Sequence, residues 1–378
     1  MNPRLREIAR LFLKLGTVAF GGPAAHIAMM EDEVVRRRHW LTREDFLDYL
    51  GATNLIPGPN STELAIHIGH AQAGWPGLLV AGACFILPAT VIVAVIAWAY
   101  VRFGSLPAAS GLLYGVKPVV IAVVVQALWG LGRSALKTRG LILAGIAATC
   151  AAAAGINELA ILFVSGVLMV AARSSSASWR DDGSAKAGAI ASLSLPGAPA
   201  LAATSFGLWP LFGVFLKIGA VLFGSGYVLL AFLRTDLVTR LHWLTEQHLL
   251  DAVAVGQVTP GPVFTTATFI GYVLGGGRGA AVATIGIFLP AFIFVALSGA
   301  LLPRLRRSPN ARAALDGVNV ASLALMAVVS AQLARAAVVD WITLALAASA
   351  ALLLFRWKVN SAWLVVAAGV IGLLIRSR

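Results

Sequence analysis

Residues Phe12 to Asp45 return without a gap as Phe215 to His248. "FLKLGTVAFGGP" at 12–23 becomes "FLKIGAVLFGSG" at 215–226, and "HWLT" at 39–42 recurs at 242–245. "PGP" at 57–59 returns at 260–262, one residue is lost, and "LPA" at 87–89 returns at 289–291. Gly115-Val116 returns as Gly317-Val318, the lost residue is regained, and Asn157 returns as Asn360. A chain duplicated along its whole length must build its fold from two like units. A Ser/Ala/Gly/Pro-rich stretch at 174–204 reads as a linker between repeats 1–173 and 205–378.

Each unit is written in apolar runs of bilayer length, such as Leu78–Val101, Ala281–Leu302, and Gly111–Leu131 with Lys117 inside it. Hydrophobic residues make up 59% of the chain, charged ones 12%, and the mean hydropathy is +0.86. A soluble domain carries about twice that charge, and a bilayer crossing needs about 20 apolar residues. The fold class is therefore all-α and polytopic, with the lipid bilayer as its solvent. The short alternating segments of a membrane barrel are missing. The formal charge of +13 sits in Arg and Lys between the apolar runs, which excludes nucleic acid as the expected partner. Cys84 and Cys150 have no CxxC partner and read as small buried hydrophobes. The opening stretch has the basic-then-apolar order of a signal peptide, but its recurrence in mid-chain predicts a retained element.

The runs place five crossings in each repeat, at 8–30, 76–101, 111–132, 140–155 and 158–173, then 210–233, 279–302, 314–334, 339–355 and 361–376. Loop charge orients them. Arg102 stands alone where the second repeat has Arg304, Arg306, Arg307 and Arg312. The next loop reverses, with Arg133, Lys137 and Arg139 against Arg335 and Asp340, and the third reverses again, with none near Gly155 against Arg356 and Lys358. Basic loops mark the cytoplasmic side, so equivalent loops face opposite sides and the repeats are inverted, a plan common in secondary transporters. Arg4, Arg6 and Arg10 oppose this scheme, which puts the N-terminus outside.

Within each repeat a helix breaks. Thr42, three residues before Asp45, suits a helix cap, and the helix then stops at Pro57-Gly58-Pro59, where Asn60, Ser61 or Thr62 can cap the next one. The second copy breaks at Pro260-Gly261-Pro262, followed by Thr265 and Thr266. Each reads as a re-entrant hairpin. Non-helical backbone at membrane depth is tolerated only where buried or lining a cavity, and matched broken helices point to a transport site. Helix N-termini suit an oxyanion, and Lys14 and Lys217 would add charge beside them. Gly21 and Gly22, against Gly224 and Ser225, flank the lysines, and Asn54 matches Gln257 as an amide. Asp48, Glu63 and Asp251 are the carboxylates able to carry a coupling proton, with Thr266 in place of Glu63 in the second copy. The alternatives are packing kinks for the PGP turns and snorkelling for the lysines. His67 and His70 lack further ligands and read as structural, so neither metal nor cofactor is expected. Trp40 and Trp243 read as interfacial anchors.

The FGGP at 20–23, the PGP at 57–59 followed by Asn-Ser-Thr-Glu, and their copies at 223–226 and 260–262 resemble the chromate ion transporter family in its long, two-domain form. The resemblance covers nearly the whole chain. It implies efflux of chromate from the bacterial cytoplasm across the inner membrane, driven by the proton gradient or membrane potential, with sulfate as the related anion. The expected partners are that oxyanion and the bilayer, with a homodimer left open. A passive anion channel, or a transporter of sulfate or another oxyanion, is the competing reading. A membrane enzyme would need a clustered nucleophile or metal set, and no ATP-binding motif is present.

Overall fold

The computed structural model describes residues 2–19, 22–104, 106–178, 206–223, 228–357 and 359–376. Among these every regular element is helical. Repeat one contains α1 (Pro3–Val18), α2 (Gly22–Glu31), a π-helical segment (Asp32–Arg37), α3 (Arg43–Thr53), α4 (Asn60–Phe103), α5 (Pro107–Ala135), α6 (Arg139–Ala153) and α7 (Glu158–Ser178). Repeat two answers with α8 (Leu208–Val221), α9 (Leu229–Leu233), a π-helical segment (Arg234–Arg240), α10 (Glu246–Val258), a 3-10 turn (Val263–Thr265), α11 (Thr266–Arg307), α12 (Pro309–Ala337), α13 (Trp341–Arg356) and α14 (Ser361–Arg376).

Four stretches, Asn60–Phe103, Ser110–Ala135, Val263–Ser298 and Pro309–Ala337, are long and apolar enough to cross a membrane. Others are shorter, close to their expected bounds: α6 has 15 residues, about 22 Å at the helical rise. The expected first crossings, 8–30 and 210–233, are not continuous. α1 ends at Ala19, whose backbone is extended, and α8 ends the same way at Leu222. Hydropathy misses these breaks because the residues that interrupt the helix are themselves apolar or small. The second arm of each hairpin runs straight into the next span. Only a kink separates them, with φ +60° at Gly74 in α4 and at Gly276 in α11.

The repeats interlock. α5 packs along α14, and α7 along α12. A side chain at Gly115 would strike the Ala368 carbonyl, and one at Gly317 the Ser165 carbonyl, so both seams are close backbone contacts of the same design. α4 meets α11, and α5 meets α12, so equivalent helices also pair with each other. Within each repeat the first helix lies on the long one, with Gly16 against the Phe85 carbonyl and Gly219 against that of Ile287. Cys84 is half-buried, but Cys150 of α6 is exposed, contrary to expectation. Lipid and protein interior are equally apolar, so sequence does not separate the two faces. The 174–204 stretch begins inside α7, and residues 179–205 lie outside the described residues.

Candidate functional site

The hairpins start as their sequence directs. Thr42 Oγ1 accepts from the Asp45 N–H at 3.1 Å, and Thr245 Oγ1 from that of His248 at 3.2 Å. The turns differ from expectation at the new helix. Pro59, with no side-chain cap, precedes α4 directly, so none of Asn60, Ser61 and Thr62 acts as the cap. Asn60 instead donates to Asn54 Oδ1 at 2.8 Å across the turn. Both turn glycines have positive φ, +139° at Gly58 and +85° at Gly261.

The two kinds of break join across the repeats. The Gly58 N–H donates to the Leu222 carbonyl at 2.8 Å, and the Gly261 N–H to the Ala19 carbonyl at 3.0 Å. Each PGP turn is thus tied to the point where the other repeat's first helix ends. These two N–H groups are therefore already bonded. His26 reinforces one tie. Its Nε2 donates to the Ala19 carbonyl at 3.0 Å, which leaves Nδ1 to accept from the Ser61 hydroxyl at 3.2 Å. Leu229 stands at the matching place in repeat two. Sequence reading missed His26; the signal was a polar residue inside an apolar stretch, next to the glycine break.

Lys14 and Lys217 are not free cations. Lys14 Nζ lies 2.7 Å from Glu33, which also faces Arg37 and Arg38. Lys217 Nζ lies 2.6 Å from Asp236 and 3.9 Å from Glu158, and Asp236 also faces Arg240. Each lysine clamps its helix to the π-helical segment 19 residues on. The Lys14 ammonium holds the Glu33 carboxyl below the usual carboxylate range. Gly21, Gly224 and Ser225 lie outside the described residues, while Gly22 opens α2 with φ +76°.

Around the turns the repeats diverge. Thr62 and Glu63 are fully buried, and Thr62 Oγ1 and both Glu63 carboxylate oxygens have no hydrogen-bond partner among the described residues. The Glu63 carboxyl lies against Gly58, where a side chain would strike it. In repeat two, Thr265 bonds the Pro262 carbonyl and Thr266 that of Val263, both at 2.8 Å. Counted from the turn, Thr266 matches Glu63. Counted back from the Gly276 kink, Thr265 does. The lost residue falls in the 3-10 turn between, which rises faster per residue than an α-helix. Pro260, Gly261 and Pro262 are buried, and Gln257 is half-buried. Pro57 is half-buried as well.

Asn54 and Asn60 open onto a polar pocket of about 350 Å³ that Lys137, Asp316, Asn319 and Ser322 also line. Ser322 is buried, and its hydroxyl has no partner among the described residues. Asp48 is exposed, whereas Asp251 is buried and meets Lys117 Nζ at 3.0 Å. Of the histidines expected to be structural, His67 stacks on Tyr49. Trp40 carries the Arg4 guanidinium over its ring at 4.6 Å.

Two interlocked repeats of apolar helices, each broken twice where it meets the other, define a polytopic membrane protein of the transporter class. The chain belongs to the chromate transporter family, whose model matches residues 6–170 and again 209–373. It is 35% identical to the chromate transport protein of Cupriavidus metallidurans, over 98% of this chain and 92% of that one. To the chromate transport protein of Pseudomonas aeruginosa it is 33% identical, over 96% and 91%. The family is one of transporters, not enzymes. No solved structure matches.

Proposed function

We propose that the protein is a secondary transporter that carries chromate out of the bacterial cytoplasm across the inner membrane, with sulfate as a competing substrate. The observation that carries this reading is the reciprocal tie of the broken helices, Gly58 to Leu222 and Gly261 to Ala19. Each PGP turn is tied to the opposite repeat, and Asn54 and Asn60, which flank the first turn, line the polar pocket. Asn54 and Asn60 each spend one amide N–H on the chain and keep a second, and the oxyanion is held by these and the N-terminal end of α4. A buried carboxyl group with neither oxygen bonded is costly to keep, and intramembrane ionisable groups usually act. Glu63 is therefore the coupling group that exchanges a proton.

The repeats are taken as inverted, 1–173 against 205–378 with 174–204 between. The loop charges support this, and so does the Gly132–Leu323 approach, which brings the end of α5 to the middle of α12. Parallel repeats would meet at matched heights. A homodimer is compatible with the exposed apolar outer faces.

The test is chromate uptake into everted membrane vesicles containing the protein, with and without an imposed proton gradient and with sulfate as competitor. Gradient-dependent uptake that sulfate inhibits is the expected result. Uptake that ignores the gradient would favour a channel, and no uptake would end the chromate reading.

A further inference from the structure

Lys117 interrupts the apolar run of α5 in repeat one, and its Nζ reaches Oδ1 of Asp251 on α10 of repeat two at 3.0 Å. Tyr100 of α4 donates its hydroxyl to the other oxygen of that carboxylate at 2.9 Å. Asp251 is 3% exposed and the Lys117 side chain 17%. Two other buried carboxylates in ion pairs are held several ways: Glu33 faces Lys14, Arg37 and Arg38, and Asp236 faces Lys217 and Arg240. Among the described residues Lys117 has one carboxylate partner, supplied by the opposite repeat.

The duplication says where this lysine stands. At the offset that carries Gly115 to Gly317, Lys117 falls on Asn319, since 117 + 202 = 319. Asn319 lines the polar pocket beside Asn54 and Asn60. Asp251 falls on Asp48, which is exposed, and Tyr100 falls on Leu302. One side of the pseudo-symmetric pair thus has uncharged Asn319 in the lysine's place, opening on the pocket. The other is charged, and a carboxylate of the protein itself fills it.

We propose that Asp251 is a built-in stand-in for the oxyanion: it occupies Lys117 in the substrate-free protein, and chromate takes Lys117 over during transport. The proposal rests on the oxyanion reading above. A carboxylate offers one negative charge and two acceptor oxygens to Lys117 and Tyr100. A tetrahedral dianion offers more of both to the same donors. The exchange keeps a counter-charge on Lys117 throughout.

The test is equilibrium dialysis of radiolabelled chromate against the purified full chain in detergent. The two members of a purely structural ion pair weaken binding in the same direction when removed. Competition gives opposite signs. Asp251→Asn should bind chromate about tenfold more tightly, Lys117→Gln about tenfold more weakly, and Lys117→Arg close to the parent. If a single change prevents folding, the double variant Lys117→Gln/Asp251→Asn leaves no bare buried charge. It should bind weakly under the proposal and like the parent if the pair only holds the fold. Weakening by both single variants, or parental binding by the double variant, overturns the proposal. A parent chain that binds no chromate overturns the oxyanion reading instead, and this proposal with it.

Discussion

After its PGP turn, repeat one begins a full α-helix with Thr62 and Glu63 buried and unbonded in the first turn. At the same place repeat two makes a 3-10 turn, and its threonines close onto their own backbone. The lysine clamps show the opposite behaviour: Lys14 with Glu33 and Lys217 with Asp236 are copies of one another. Duplication kept the charges that hold the scaffold. It did not keep Glu63, His26 and Asn60 beside the first turn, nor Tyr100 and Lys117 on Asp251, and none of the five has a like residue in repeat two. The difference teaches that symmetry here marks architecture, and its loss marks the residues to test for transport.

The largest effect that would break this comparison is all-or-none. Lys137 and Val339 are equivalent (137 + 202 = 339) and both exposed. Single cysteines there, in a background without Cys84 and Cys150, should react with an impermeant maleimide from opposite sides of the membrane. Reaction from one side would mean parallel repeats.

Next in size is the contrast at the first turns. Glu63→Gln should cut gradient-driven chromate uptake by at least about tenfold with normal insertion, while Thr265→Val and Thr266→Val each stay within about twofold. Equal losses in all three would place the coupling group elsewhere.

The turn glycines come third. A left-handed conformation forced on a side chain costs about 1–3 kcal/mol, so both Gly58→Ala and Gly261→Ala should melt earlier in detergent. A Cβ at Gly261 would lie 2.7 Å from the Ala89 Cβ and 3.2 Å from the Gly16 carbonyl oxygen, neither of which can swing aside. At Gly58 it meets the end of the Glu63 side chain, which can. Gly261→Ala should lose more thermal stability, and Gly58→Ala more uptake per folded molecule. The reverse order would contradict the packing described for the two turns.

The last contrast separates the clamps. Lys217 is 26% exposed and Lys14 54%. Lys217→Met, which leaves buried Asp236 with Arg240 alone, should cost about 1–3 kcal/mol. Lys14→Met removes an exposed lysine from a carboxylate that keeps Arg37 and Arg38, and should cost about 0–1 kcal/mol. Because the Glu33 carboxyl is held below its ordinary range, its contribution is present above that range and fades as pH falls through the depressed value. Thermal melts from pH 7 downward on the parent and on Glu33→Gln should converge only at the acid end.

Much of this was legible in the sequence. The duplication, the hairpin caps at Thr42 and Thr245, and the PGP breaks follow from local chemistry that a reader can see. The lysine partners were also visible, since Glu33 and Asp236 lie inside the gapless match, 19 residues past each lysine. Other features left no local trace. Ala19 and Leu222 end their helices within apolar text. Lys117 and Asp251 are 134 residues apart and in different repeats, so no spacing rule connects them. The site residues that spacing did suggest were located by their breaks, and the partners of those breaks were set by packing between repeats.

The seam between α5 and α14 has a consequence for how the protein is made. Gly111 and Gly115 of α5 close against Gly372 and Ala368, and 372 − 111 = 261 residues separate the first of these pairs. At a synthesis rate of about 5–20 residues per second, α5 waits about 13–52 s for its neighbour to leave the ribosome. Lys117 meanwhile enters the bilayer ahead of the carboxylate that neutralises it. The nascent first repeat therefore depends on something other than its sister, lipid headgroups or the insertion machinery, to shelter that charge until the second repeat arrives.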